Sequence, residues 1–286
     1  MSRIDEALRR RRDQNGESAP LALGQTMFKP AWPTAEQWNS SDAHQDDARA
    51  VPASTVIEFS SKWGALLVNS PDSDPEVVEQ FRRLASTLHK AKRLNGLRSV
   101  MVTSATSGDG KTLTAVNLAL ELSRSFNSDV LLIDADLRRP SIPSVVHLSE
   151  DAGLSEALSV KTEQKLALVR IAPRLTLIPA GQAILNSIEA VTSPRMQRII
   201  EEATERYDWV ILDAPPIGLT TDARLLAEFV GGTLFVVRAG VTQHRQVTQA
   251  MAALGREQIL GVVLNGTERS KEKNTYYDPT LQGKRT

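Results

Sequence analysis

The chain has 286 residues, enough for one core-bearing domain of about 200 residues with appendages. Lysine plus arginine equals aspartate plus glutamate at 34 each, so no net charge drives the chain toward nucleic acid or an acidic partner. Cysteine is absent, which excludes disulfides, thiolate metal sites and thiol catalysis. The opening MSRIDEALRRRRDQNG has no apolar core of the secretory type, and no apolar run approaches the ~18 residues needed to span a bilayer. A soluble protein of a reducing compartment is expected.

Residues 2–12 suit a short amphipathic helix with Ile4, Ala7 and Leu8 on one face, followed by the basic cluster Arg9 to Arg12. That cluster reads either as a solvated helix end or as a docking point for an anionic surface or a partner's tail. From Asp13 to about Pro52 the chain is polar and aperiodic and reads as a disordered linker. Residues 55–70 are ambiguous, with Val56 to Phe59 a candidate edge strand. Pro71 to Pro75 marks a boundary, and 76–93 carries Val77, Val78, Phe81, Leu84 and Leu88 at helical spacing.

The stretch SVMVTSATSGDGKTLTAVNLAL follows, from Ser99 to Leu120. A β-branched apolar run, a loop of small residues, Lys111-Thr112 and an apolar-periodic helix form the context a phosphate-binding P-loop requires. Inward-turned backbone N–H groups and a helix N-terminus cradle anionic oxygens, and Gly108 and Gly110 tolerate the positive φ involved. Lys111 reaches β- and γ-phosphates, and the Thr112 hydroxyl holds Mg²⁺. The predicted nucleotide-binding set is Ser107, Gly108, Asp109, Gly110, Lys111, Thr112, Leu113 and Asn265, with Ala105 at the position usually held by glycine.

Further strands are predicted at Val130 to Ile133, Leu175 to Pro179, 209–212, Thr233 to Arg238 and Ile259 to Leu264. Helical segments are predicted near 153–158, over Ser187 to Tyr207, at 222–230 and from Gln243 to Leu254. Strands that are almost wholly apolar and alternate with helices imply an α/β protein: a P-loop NTPase with a mostly parallel, doubly wound sheet. The chemistry-bearing residues fall at strand carboxyl ends, where ligands bind in such sheets. Asp213 ends WVIL, where an acid can hold Mg²⁺ or its water. Asp134 and Asp136 end VLLI, where two carboxylates can bind metal and orient or deprotonate an acceptor hydroxyl. Arg138 and Arg139 can brace phosphate oxygens in this site or a neighbouring subunit's. The expected catalytic set is Lys111, Asp134, Asp136, Arg138 and Asp213, and the expected metal set is Thr112, Asp134 and Asp213. Asn265 either hydrogen-bonds adenine or caps the next turn. Thr221-Asp222 either supports the metal from behind or caps the 222–230 helix.

SATSGDGKT, VLLIDADLRRP, YDWVILDAPPIGLTTDA and LGVVLN together resemble the bacterial tyrosine kinases (BY-kinases), over about residues 76–266. GLSEAL at 153–158 and IPAG at 178–181 fit the same pattern. The resemblance implies Walker A at Lys111 and Thr112, Walker A′ at Asp134 and Asp136, and Walker B at Asp213. It also implies ATP and Mg²⁺ as cofactors and phosphorylation of tyrosines in a C-terminal tail, here Tyr276 and Tyr277. Tyr207 precedes a buried strand and is expected to be packed. MSRIDEAL is similar to the start of stand-alone members encoded with exopolysaccharide systems in Gram-negative bacteria. By that resemblance the chain is cytoplasmic and is recruited to the inner membrane by a membrane-spanning chain-length regulator, with no nucleic-acid partner. Family members assemble as rings through Glu-x-x-Arg-x-x-Arg; Glu79 and Arg82 match, but Ala85 interrupts the pattern, so homo-oligomerisation is carried over and the ring is not. Ser107 and Asp109 stand where family members more often have Pro and Glu.

The alternatives are a MinD/ParA-like ATPase switch without kinase activity and a nucleotide-sensing partner of a membrane polysaccharide complex. The switch ATPases carry a signature lysine in K-G-G-x-G-K-T; here that position is Thr106. The expected organisation is an N-terminal helix and linker (1–54), a P-loop domain (55–267) and a tyrosine-bearing tail (268–286).

Overall fold

The computed structural model describes residues 66–146, 148, 153–159 and 166–267. The 2–12 helix, the Arg9 to Arg12 cluster, the 13–52 linker, the 56–59 strand and the tail with Tyr276 and Tyr277 lie outside the described residues.

Helix α1 (Pro75–Asn95) starts where Asp74 accepts a hydrogen bond from Glu76 N with Pro75 in the first turn, and stops at Gly96, φ +71°. Strand β1 (Ser99–Ser104), the P-loop and helix α2 (Lys111–Ser125) follow, then β2 (Val130–Asp134). Two short helices, α3 (Ile142–Val146) and α4 (Leu154–Leu158), precede the hairpin β3 (Val169–Ala172) and β4 (Leu175–Ile178). The remaining elements are α5 (Ile188–Val191), α6 (Pro194–Arg206), β5 (Trp209–Asp213), α7 (Asp222–Leu226), β6 (Thr233–Arg238), α8 (His244–Leu254) and β7 (Ile259–Asn265).

The strands form one sheet in the order β3-β4-β2-β5-β1-β6-β7. All neighbours are parallel except β3 against β4. The apolar runs are continuous because both faces are covered, and successive side chains alternate between two cores. Met101, Leu131, Ile133, Val210, Leu212 and Phe235 face the core that includes residues of α4, α6, α7 and α8. Val100, Val102, Leu132, Trp209, Ile211 and Val236 face the core built with α1, α2 and α3.

Two expectations are corrected. The helix over 187–207 is two helices: Ser193 accepts from Met196 N at 3.2 Å and Pro194 opens α6, so the chain restarts where one long helix was expected. The 222–230 helix is α7 followed by a 3₁₀ turn, Ala227–Phe229, and Thr221 makes no side-chain cap bond. Strand β3 and helix α3 were not anticipated. Tyr207 is packed as expected, at 7% exposure. Among the described residues no helix is long and apolar enough to cross a membrane.

The crossover from β1 runs to β2 on one side, while that from β5 passes β1 to β6 on the other, so the strand order reverses beside β1 and a crevice opens at its carboxyl end. The register sets Asp134 directly beside Asp213, and Val102 beside Asp213 on the other side. The P-loop and both acid-bearing strand ends thereby share one edge.

Candidate active site

The loop from Ala105 to Gly110 is held open by its own polar groups. Ser104 Oγ donates to Thr106 O at 2.8 Å. The buried Asp109 carboxylate accepts from Thr106 N at 3.0 Å, Thr106 Oγ1 at 2.9 Å and Thr242 Oγ1 at 2.8 Å. Asp109 is thus a strut of the loop, tying it to the turn after β6. Asn265 Nδ2 donates to Asp109 O at 2.9 Å, and Arg238 Nη1 to Gly108 O at 3.4 Å. Gly108 and Gly110 have φ of +86° and +97°, and a Cβ on Gly110 would lie 2.0 Å from Asn265 Nδ2. The first intrahelical bond of α2 is Thr114 N to Gly110 O, so the N–H groups of Lys111, Thr112 and Leu113 precede the helical ladder and are available to an anion.

Lys111 is 7% exposed and turned onto the acids, its Nζ 3.0 Å from Asp136 Oδ2, 3.5 Å from Asp213 Oδ1 and 3.4 Å from Thr112 Oγ1. Burial alone would lower its pKa, but Asp213, Asp136 and Asp134 together reverse this and leave it raised. Burial pushes Asp134 well above the usual carboxylate range; the Asp213 charge adds to this and Lys111 opposes it. Burial likewise raises Asp213, with Lys111 opposing. Asp134 accepts from Asp136 N at 3.3 Å and Ile142 N at 3.2 Å, so it also fixes the loop that follows β2. Asp136, which accepts from Arg139 N at 3.2 Å, is the carboxylate of the three that lines the cleft.

The donor set fits Mg²⁺. Among the described residues Asp213 Oδ2 is buried with no hydrogen-bond partner, beside a charged lysine that a nucleotide's phosphates can draw away. Thr112 Oγ1 supplies a hydroxyl, and Mg²⁺ prefers one or two carboxylates plus phosphates and water to an all-protein cage. Among the described residues no group of three His, Cys, Asp or Glu side chains forms such a cage.

The structure brings Ser107, Gly108, Gly110, Lys111, Thr112, Asp136, Arg138 and Asn265 to one open cleft of about 1870 Å³. Leu113 lines it too. The sequence reading missed three contacts. Ser141 Oγ lies 3.2 Å from Thr112 Oγ1; Thr242 holds Asp109; and Arg138 is paired with Asp222, Nε to Oδ2 at 3.0 Å. None has a motif signature, because each joins residues 29 or more positions apart. On α1, Arg82 pairs with Glu79 at 3.1 Å and with the fully buried Glu121 of α2 at 3.3 Å, while Ala85 is wholly buried. The third position of the ring pattern thus faces the core.

A family model described as ParA, an NUBPL iron-transfer P-loop NTPase, matches residues 97–274. The chain is 34% identical over 202 residues to the tyrosine-protein kinase YwqD of Bacillus subtilis, covering 70% of this chain and 85% of that protein. It is also 34% identical over 204 residues to the tyrosine-protein kinase etk of Escherichia coli K12, there spanning only 28% of the longer protein. The solved kinase domain of the E. coli enzyme superposes with a TM-score of 0.62 at 32% identity, over 68% of this chain and 78% of that one. A matched P-loop, the acids beside it and these similarities give one assignment: the chain belongs to the ParA-type P-loop NTPases and, within them, to the bacterial tyrosine kinases.

Proposed function

We propose that the chain is an ATP:protein-tyrosine autokinase that phosphorylates Tyr276 and Tyr277 of a neighbouring subunit and regulates exopolysaccharide or capsule polymerisation and export. The observation that carries the reading is the buried cluster of Lys111, Asp136 and Asp213 at the mouth of the P-loop, with Asp136 reaching the cleft.

The N–H groups at the start of α2 receive the phosphates, and Lys111 leaves the acids for β- and γ-phosphate oxygens. Thr112 and Asp213, with Asp134 behind them, would hold Mg²⁺, which when bound would supply positive charge for the transferring group. Asn265, whose Nδ2 is engaged by Asp109 O, keeps its Oδ1 for the adenine amino group. Release of Lys111 frees Asp136 to orient the tyrosine hydroxyl and take its proton. The phenolic oxygen then bonds the γ-phosphorus as the bridging P–O bond breaks and ADP departs. Arg138 and Arg139 brace the phosphoryl oxygens. A cleft larger than a nucleotide alone requires leaves room for the acceptor. Recruitment from the cytoplasm to the inner membrane, by a membrane-spanning chain-length regulator that activates the kinase, completes the reading.

The test is intact mass after incubation with Mg·ATP, with and without phosphatase, for the wild type and Tyr276→Phe/Tyr277→Phe. Phosphate gained by the wild type and lost in the double variant is expected. No phosphate on either, with the partner's cytoplasmic segments added, would replace the kinase with an ATPase switch.

A further inference from the structure

Three loops at the carboxyl edge of the sheet meet on one carboxylate. Arg138, in the loop after β2, donates from Nε to Asp222 Oδ2 at 3.0 Å and from Nη2 to Asp222 Oδ1 at 3.5 Å. Asp222 follows the loop after β5 and opens α7. Ser187, from the segment after β4, donates its hydroxyl to the same Asp222 Oδ2. Backbone bonds run alongside: Ile184 N to Leu137 O at 2.9 Å, Ile217 N to Ser104 O at 2.9 Å and Gly218 N to Ala105 O at 3.2 Å.

The side chain of Asp222 is 2% exposed, that of Arg138 is 34% exposed, and Ser187 is fully buried. An exposed ion pair of two long side chains contributes little. Here the carboxylate is short, buried, bound by both oxygens and pinned by a hydroxyl, so it is a fixed anchor. Arg138 lines the cleft together with Thr112 and Asp136. Arg139, by contrast, is exposed and makes no ion pair among the described residues. A free arginine loses rotamer freedom when it meets a phosphate, and one already anchored loses much less.

We propose that Asp222, braced by Ser187, is the positioning residue that presents Arg138 to the γ-phosphate. The proposal rests on the nucleotide-binding reading of the site. A mere staple between loops would affect every nucleotide alike. A positioning device acts on the ligand that reaches Arg138, the triphosphate, and works only through Arg138. Asp222→Asn keeps the size of the side chain and an acceptor for Ser187, but loses the charge and the two-oxygen grip.

The full chain is titrated with Mg·ADP and with Mg·AMP-PNP by calorimetry, as wild type, Asp222→Asn, Ser187→Ala, Arg138→Ala and Asp222→Asn/Arg138→Ala. Asp222→Asn should lower affinity for AMP-PNP relative to ADP by about tenfold, the order of one charge-assisted contact. Ser187→Ala should move the same ratio less, and the double variant should match Arg138→Ala alone. Equal weakening of both nucleotides, or effects that add in the double variant, overturns the proposal. If Asp222→Asn does not fold, Ser187→Ala decides: an unchanged ratio overturns the proposal. A wild type that binds AMP-PNP yet labels no protein when given Mg·ATP removes the kinase reading and leaves the affinity ratio to judge Asp222. A wild type that binds neither nucleotide overturns both.

Discussion

Replacing Lys111 with methionine tests whether the site is an acid cluster held together by one ammonium. Lys111 Nζ lies 3.0 Å from Asp136 and 3.5 Å from Asp213. At an effective dielectric of about 20 each contact supplies ~5 kcal/mol of attraction, much of it offset by the cost of burying the ammonium. Removing one partner of a buried pair leaves the other uncompensated, which typically costs about 3–5 kcal/mol. For a domain of this size that corresponds to roughly 6–20 °C in Tm. The pH dependence fixes the sign. Asp134 and Asp213 have folded-state pKa values above their ordinary ones, because burial disfavours the carboxylate. Between the unfolded and folded values the folded protein holds protons that the unfolded chain has released, so stability falls as pH rises through that window. Lys111 opposes the shift at both acids, and its loss moves both folded values further up and widens the window upward. The penalty of Lys111→Met, measured by circular-dichroism melts of nucleotide-free protein in EDTA, should therefore be larger near about pH 8 than near about pH 6. An equal gap at both, or no gap at the higher pH, refutes the charge argument.

Two further predictions concern the same edge. Asp213→Asn removes a buried acid with an orphaned oxygen, so the nucleotide-free protein should melt no lower than wild type while ADP affinity loses its dependence on Mg²⁺; unchanged Mg²⁺ dependence would exclude Asp213 from the metal site. Gly110→Ala adds about 1–2 kcal/mol of left-handed strain to a Cβ placed 2.0 Å from Asn265 Nδ2. ADP binding should be lost, and Asn265→Ala should restore it only in part, since it relieves the clash and not the φ; full rescue would refute the backbone argument.

The local parts of this architecture were legible in sequence and the long-range parts were not. Apolar runs ending in Asp134 and Asp213, and a loop ending in Gly-Lys-Thr, announce themselves because each is a contiguous stretch with one physical purpose. Their convergence followed from the parallel-sheet rule, and the register between Asp134 and Asp213 agrees with it. The 187–207 segment misled because its helical periodicity continues through Ser193-Pro194, whose capping chemistry starts a new helix instead. Strand β3 is short and half exposed, so it lacks the apolar run that marked its neighbours. Asp109 shows the limit most clearly. In a phosphate loop it reads as a ligand-side residue, yet its carboxylate faces Thr106 and Thr242, and Thr242 lies 133 residues away.

Asp136 stands apart from Asp134 and Asp213 because it is the one of the three that lines the cleft. Asp134 and Asp213 are fully buried, 0% exposed, and sit where strand register puts them, as in a site that only binds nucleotide. Asp136 lies beyond the strand, on the loop that Asp134 itself fixes through Asp136 N and Ile142 N. That extra reach brings it to the cleft wall, where its one charged partner among the described residues is Lys111. In the proposed mechanism a nucleotide that claims Lys111 does two things at once: it satisfies its own phosphates and it uncovers Asp136 next to them. In the proposed mechanism this pairing sets the order of events, because Asp136 stays covered until the nucleotide is in place.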